Sequence, residues 1–246
     1  MFRLAQPQHS CSRLGLIVVL LCLAGAVHGE TLNVAADSNI FGAGHSSPVG
    51  SGAVGVLPPV YAFNVTSLAG AYFTFSVSGG VILNAGSGDN VNNADGIGAG
   101  SSSSSVNSIG GISGISGPNA GFLVGVFETN LEPGNPAPSA LDFTSLGTTF
   151  STLFPLVNQT FFIGDGLTGN GTGATQRFFI PEGATRLFLG IADAPAYHGD
   201  AGGYGDNTGQ FVATFSIVPE PPVISLMTLG AFTLLIVARL RQCKVS

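Results

Sequence analysis

Apolar and polar residues alternate with a period of two along much of the middle of the chain. In AYFTFSVSG, Ala71, Phe73, Phe75 and Val77 fall on one face and Tyr72, Thr74, Ser76 and Ser78 on the other. That is the pattern of a strand with one face buried. VILNAG, at Val81 to Gly86, predicts a second strand. GFLVGVFE, at Gly121 to Glu128, is apolar on both faces and predicts a central strand. Arg177 to Ile180 and Thr185 to Ile191 predict two more, joined by the turn PEGA. QFVATFSIV predicts the last, with Phe211, Ala213, Phe215 and Ile217 facing inward. No amphipathic helix of normal length appears in this region. The pattern predicts an all-β protein, built as an antiparallel β-sandwich of two sheets.

The two ends depart from this pattern. Arg3 and Arg13 precede an apolar run from Leu14 to Leu23, and small residues surround Ala24 to Gly29. This order predicts a secretory signal peptide over residues 1–29. The run LLCLAG around Cys22 resembles a lipoprotein box, but the residues after it remain apolar and a small-residue exit follows at Ala26 to Gly29. At the other end, Pro219, Pro221 and Pro222 break any preceding element. Val223 to Ala238 is uncharged and largely apolar, and Arg239, Arg241 and Lys244 follow it. This predicts a short transmembrane helix with its basic end on the cytoplasmic side. Residues 30–218 are then one exported β domain, with a polar, exposed insertion over about residues 86–117 that includes SSSSS at Ser101 to Ser105.

Composition sharpens the picture. Gly is frequent, at 37 of 246 residues, as turns and close backbone contacts require. Residues 30–218 carry twelve acids against two arginines, Arg177 and Arg186, a net charge of −10 with histidines neutral. No basic patch exists there to neutralise phosphates, so no nucleic-acid partner is expected. Such an acidic body attracts divalent cations. All three cysteines, Cys11, Cys22 and Cys243, lie in the terminal segments, so the body has no disulfide, thiolate metal site or cysteine nucleophile. Asn64, Asn158 and Asn170 stand in N-x-T sequences and are read as turn or strand-edge residues.

The C-terminal residues carry a specific resemblance. A Val-Pro-Glu-Pro motif at Pro219, Glu220 and Pro221, an apolar span and a basic cluster, together residues 219–244, are similar to the bacterial PEP-CTERM sorting signal. The resemblance implies an exosortase-type membrane protease as partner and transient anchoring in the inner membrane during sorting. It also implies a secreted or cell-surface location in a Gram-negative bacterium.

Acid is concentrated in FLGIADAPAYHGDAGGYGDNTGQF, which places Asp193, Asp200 and Asp206 in a Gly-rich loop between two predicted strands. Calcium requires six to eight oxygens from carboxylates, amides and carbonyls, and this loop supplies those groups. Its single imidazole, His198, does not make a zinc site. The same Asp and Asn residues are also good turn formers, so a solvated hairpin end fits them too.

FLGIAD followed by a loop and YGDNTGQFVATFSI resembles the C-terminal half of the PA-IL-type galactose-binding lectin domain, a small calcium-dependent β-sandwich. The resemblance implies a jelly-roll-like fold and Ca2+ held by Asp193, Gly203 (through its carbonyl), Asp206 and Asn207. It implies a further carbonyl contact near Asp89 or Asn90. Ligand contacts would come from Asp193, Tyr197, Tyr204 and Asn207, to a galactoside or an extracellular polysaccharide. The segment differs from the family in a longer loop before Gly203, in Asp206 where the family has Asn, and in lacking a His and Gln pair between Gly86 and Gly117. The expected function is calcium-dependent carbohydrate binding, with a non-catalytic structural role in biofilm or extracellular matrix as the alternative. No enzyme is expected. The body has two isolated histidines, His45 and His198, no nucleophile-elbow sequence, and carboxylates clustered on one loop rather than opposed as acid and base.

Overall fold

The computed structural model describes residues 29–64, 70–88, 90–98 and 102–219. Residues 1–28 of the expected signal peptide, Asp89, Glu220 and Pro221 lie outside that range, as does the apolar segment from Val223 to Ala238.

The strands in chain order are β1 (Glu30–Ala35), β2 (Val60–Ala62), β3 (Tyr72–Ile82), β4 (Ser104–Val106), β5 (Ile115–Gly117), β6 (Leu123–Glu128), β7 (Leu141–Asp142) and β8 (Thr152–Leu153). They continue with β9 (Thr160–Phe162), β10 (Leu167–Gly169), β11 (Thr172–Thr175), β12 (Arg177–Phe179), β13 (Arg186–Ile191), β14 (His198–Gly199) and β15 (Thr208–Val218). Sheet I has the order β1-β15-β3-β12-β8, sheet II β2-β13-β6-β9 and sheet III β14-β4-β5-β7, while β10 and β11 form a separate hairpin.

Sheet II lies between the other two layers. On one face, Leu123, Phe127, Phe161, Leu187, Leu189 and Ile191 meet Val34, Phe73, Phe75, Phe178, Phe211 and Phe215 of sheet I. On its other face, Val124, Val126, Phe162 and Phe188 meet Ile40, Phe41, Val106, Ile112 and Ile115. Every residue of β6 is therefore buried. Alternation still operates, but both sets of positions are apolar because both faces are covered. Glycines allow the tightest approach. A Cβ on Gly190 would lie 2.8 Å from Ser38 O and 3.1 Å from the Ile40 backbone. The chain at Ser38–Ile40 thus packs directly on β13, and Ile191 N–H donates to Ser38 O at 2.8 Å.

The all-β expectation holds, but the purely antiparallel, jelly-roll-like sandwich does not. Three pairings are parallel: β12 with β8, β14 with β4, and β5 with β7. The sheets are open and mixed, and they form three layers rather than two. The reason is strand length. β7, β8 and β14 have two residues each, too few to leave a readable period, and burial alone fixes their partners. PEGA joins no hairpin, because β12 pairs in sheet I and β13 in sheet II. VILNAG begins as the continuation of β3. The segment over 86–117 supplies β4, β5 and the buried Ile112 and Ile115 rather than only an exposed insertion.

The expected transmembrane sorting helix, and the membrane-anchored location inferred from it, find no support in the structure, since their segment lies outside the described residues. Among the described residues, no helix is long and apolar enough to cross a membrane. The longest α-helix there is the four-residue Phe143–Leu146.

One buried charge site constrains stability. Glu128, at the end of β6, is 0% exposed, and neither carboxyl oxygen has a hydrogen-bond partner. Arg186 Nη2 stands 3.7 Å away, but the guanidinium donates to the carbonyls of Thr129 and Leu131 at 2.7 and 3.0 Å. Burial pushes the Glu128 carboxyl up to about 8, and the attraction of Arg186 opposes this only in part. The folded protein holds the proton to about pH 8, whereas the unfolded chain releases it near 4.5. The folded state binds more protons between those values, so stability falls as pH rises through the window. Glu128→Gln removes this titration. Urea denaturation from pH 5 to 8 will show a flatter pH dependence for the variant, by up to about 1.4 kcal/mol per pH unit.

Candidate functional site

The connection between β13 and β15 holds all the residues that the acidic loop singled out. β13 ends at Ile191, and Asp193 follows two residues later with only 2% of its surface exposed. Its Oδ1 accepts from Ala194 N–H at 2.8 Å, and its Oδ2 accepts from Asn207 Nδ2 at 2.9 Å. Asn207 immediately precedes β15, so this bond closes the connection at its base. The same amino group donates to Ala36 O at 3.1 Å, next to the end of β1. Three strands thus converge at this point: β1, β13 and β15.

Tyr204 secures the exit of β13. Its hydroxyl donates to Ile191 O at 2.9 Å and accepts from Asp193 N–H at 3.1 Å. The side chain is 1% exposed, and burial raises its phenol well above the usual tyrosine range. The backbone of Tyr204 donates to Ala53 O, and Ser51 N–H donates to Ala201 O. The segment that backs the connection is itself held by the fully buried Asn39, whose amide donates to Val49 O and Val54 O.

A cleft of ≈ 320 Å³ opens above this base, lined by Asp193, Gly203 and Asp206 together with Leu83, Asn84 and the Pro195–Tyr197 turn. Gly203 has φ +87°, and a Cβ there would lie 3.6 Å from Asp193 Oδ2, which brings its backbone close to that carboxylate. Ala196 and Tyr197 have φ of 53° and 65°. Two successive non-glycine residues in the left-handed region are costly, and such strain concentrates at binding sites. Burial raises the Asp193 carboxyl to about 7 against the two hydrogen bonds it accepts, with the charge of Asp206 adding to the rise.

The sequence-predicted residues separate into three groups. Asp193, Gly203 and Asp206 share the cleft, and Asn207 is bonded to Asp193 at its base. Tyr197 lines the wall. Tyr204 belongs to the core, and its ring presents no face to a ligand. Asp200 turns away: Asn107 Nδ2 donates to its Oδ1 at 2.8 Å, and the adjacent β14 pairs with β4 in sheet III. From the loop after β3, Leu83 and Asn84 reach the cleft, while Asp89, one of the two residues expected to supply a carbonyl, lies outside the described residues. The role of Asn39 had no sequence signal, since its partners are main-chain carbonyls ten and fifteen residues away.

Among the described residues, no group of three or more His, Cys, Asp or Glu side chains stands together for a metal. The cleft has two carboxylates, and any further protein ligands must be neutral oxygens. Asn207 Oδ1 is buried and has no hydrogen-bond partner, and the amino group of that amide is the part that faces Asp193. The donor set therefore fits a hard cation that accepts carbonyl and water oxygens, and it does not fit zinc.

Tyr204→Phe will destabilise the fold by about 1–3 kcal/mol in chemical denaturation, because Asp193 N–H and Ile191 O lose a buried partner. No family model matches the chain, and no curated protein or solved structure matches it either.

Proposed function

We propose that the cleft at the β13–β15 connection binds one calcium ion and, through it, the vicinal hydroxyls of a saccharide. The observation that carries this reading is the convergence of Asp193, Gly203 and Asp206 on one cleft, with Asn207, whose Oδ1 has no partner, bonded to Asp193 at its base. Asp193 and Asp206 supply charge, the Gly203 carbonyl supplies a backbone oxygen, and Asn207 supplies an amide oxygen after a half-turn of its side-chain amide. Four protein oxygens leave two to four calcium positions for water or sugar hydroxyls. Tyr197 lines the wall against which a sugar ring would lie.

With two carboxylates and a donor that must reorient, affinity falls at the weak end of calcium sites, about 10⁻⁴–10⁻³ M. Calcium at ten times its dissociation constant will raise the stability of the full chain by about 1.4 kcal/mol, visible as a higher thermal midpoint. Asp206→Ala, an exposed substitution, will remove that shift while leaving the calcium-free midpoint nearly unchanged. An unchanged wild-type midpoint, with no binding heat up to several millimolar calcium, overturns the reading. A glycan array run with and without calcium then separates two roles. Calcium-dependent retention of a saccharide supports the binding module, whereas calcium binding with no retention assigns the ion to holding the connection together.

A further inference from the structure

The outer face of sheet I carries a second feature, independent of the cleft. That face is a field of hydroxyls: Thr74, Ser76 and Ser78 on β3 stand beside Ser216, Thr214 and Val212 on β15. At one end it changes character. Tyr72, Phe179 and Phe154 form a stack across β3, β12 and the end of β8, with ring centroids 5.2 and 4.6 Å apart. Phe154 closes the stack and is 69% exposed. Val218 extends the row on the other side, paired with Tyr72.

Arg177 stands one step along β12 on the same face. It is exposed, and its guanidinium sits 5.3 Å from the centre of the Tyr72 ring. It is one of two arginines in residues 30–218, and the other, Arg186, is committed to two carbonyls beside Glu128. No described carboxylate pairs with Arg177. By register, Thr152 and Thr74 flank it, and Ser216 continues the line. Two parallel rows result, one aromatic and one of hydroxyls centred on a guanidinium, about 7 Å apart.

We propose that this face binds a uronic-acid saccharide. A sugar ring has an apolar C–H face suited to the open ring of Phe154 and a hydroxyl rim suited to Thr152, Thr74 and Ser216. A ring carboxylate matches the planar fork of Arg177, which takes carboxylates in a bidentate manner. An extended peptide fits less well, because it would need the free edge of β8, which is two residues long. The body's charge of −10 opposes a polyanion at long range. At about 0.1 M salt, charges beyond about 10 Å are screened, and the local contact with Arg177 decides. The face lies at the opposite end of β15 from Asn207, about 33 Å along the strand, so it does not depend on calcium in the cleft.

The test is calorimetric titration of the full chain with hexamers of galacturonate, mannuronate and guluronate, at about 0.1 M salt and with a calcium chelator present. At least one hexamer is expected to bind saturably, and its methyl ester to bind at least about tenfold more weakly. Arg177→Gln and Phe154→Ser should each weaken binding about tenfold or more, and Arg177→Lys should weaken it less. Thermal midpoints of these surface variants confirm that each is folded. The proposal is overturned if no hexamer binds, if binding requires calcium, or if both Arg177→Gln and Phe154→Ser leave it unchanged. It is equally overturned if sedimentation shows self-association that Phe154→Ser abolishes, because a second copy then covers this face.

Discussion

Burial of sheet II on both faces is the constraint on which the rest of the structure depends. A sheet with one solvated face needs one covering layer, but β6 and β13 present large apolar groups in both directions. Sheet I alone cannot cover them. The third layer therefore had to be assembled from what the chain offers between its long strands: the Ile40–Gly42 turn, short strands and buried aliphatic side chains. This explains why so much of a Gly- and Ser-rich chain is ordered around small apolar anchors such as Ile112 and Ile115. It also explains why Glu128 is tolerated at the end of a fully buried strand, since protonation removes a charge that burial would otherwise penalise heavily.

The same layering creates the candidate site. The end of β13 emerges between sheet I, sheet III and the segment held by Asn39, so Asp193 leaves the strand already enclosed. A carboxyl in that position needs donors, and it receives Ala194 N–H and the Asn207 amide. These bonds oppose its desolvation without cancelling it. The Asn207 amino group bridges Asp193 Oδ2 and Ala36 O and so ties the base of the cleft to the end of β1. The strained Pro195–Tyr197 turn forms the rim above.

β15 organises the molecule at both ends. It pairs with β3 over its full eleven residues and with β1 over six, which fixes Asn207 beside Ala36 at one end, within reach of Asp193, and Val218 beside Tyr72 at the other. One end gathers carboxylate and amide groups, and the other gathers aromatic rings and a guanidinium. A single register therefore determines both surfaces, and a slip of one residue would turn both to the wrong face.

Period-two alternation was enough to identify β3 and β15, the short apolar runs at β12 and β13 were legible as strands, and the doubly apolar β6 was legible as a central strand, because burial of one or both faces is written directly into residue type. The acidic loop was equally legible as a cluster, since Asp193 and Asn207 stand at the two ends of one connection between strands and meet at its base. What covered the second face of β6 was not written there. The covering strands are two or three residues long, and their pairing, parallel in two cases, follows from which aliphatic groups reach the gap. Local sequence also could not sort the loop's own residues. Asp200 and Tyr204 resemble ligands as strongly as Asp206 does, yet Asn107 draws one of them to sheet III and the core takes the other. Those choices rest on partners roughly a hundred or more residues away, Asn107 for Asp200 and Ala53 for Tyr204, and only the packed layers bring such partners within hydrogen-bond reach.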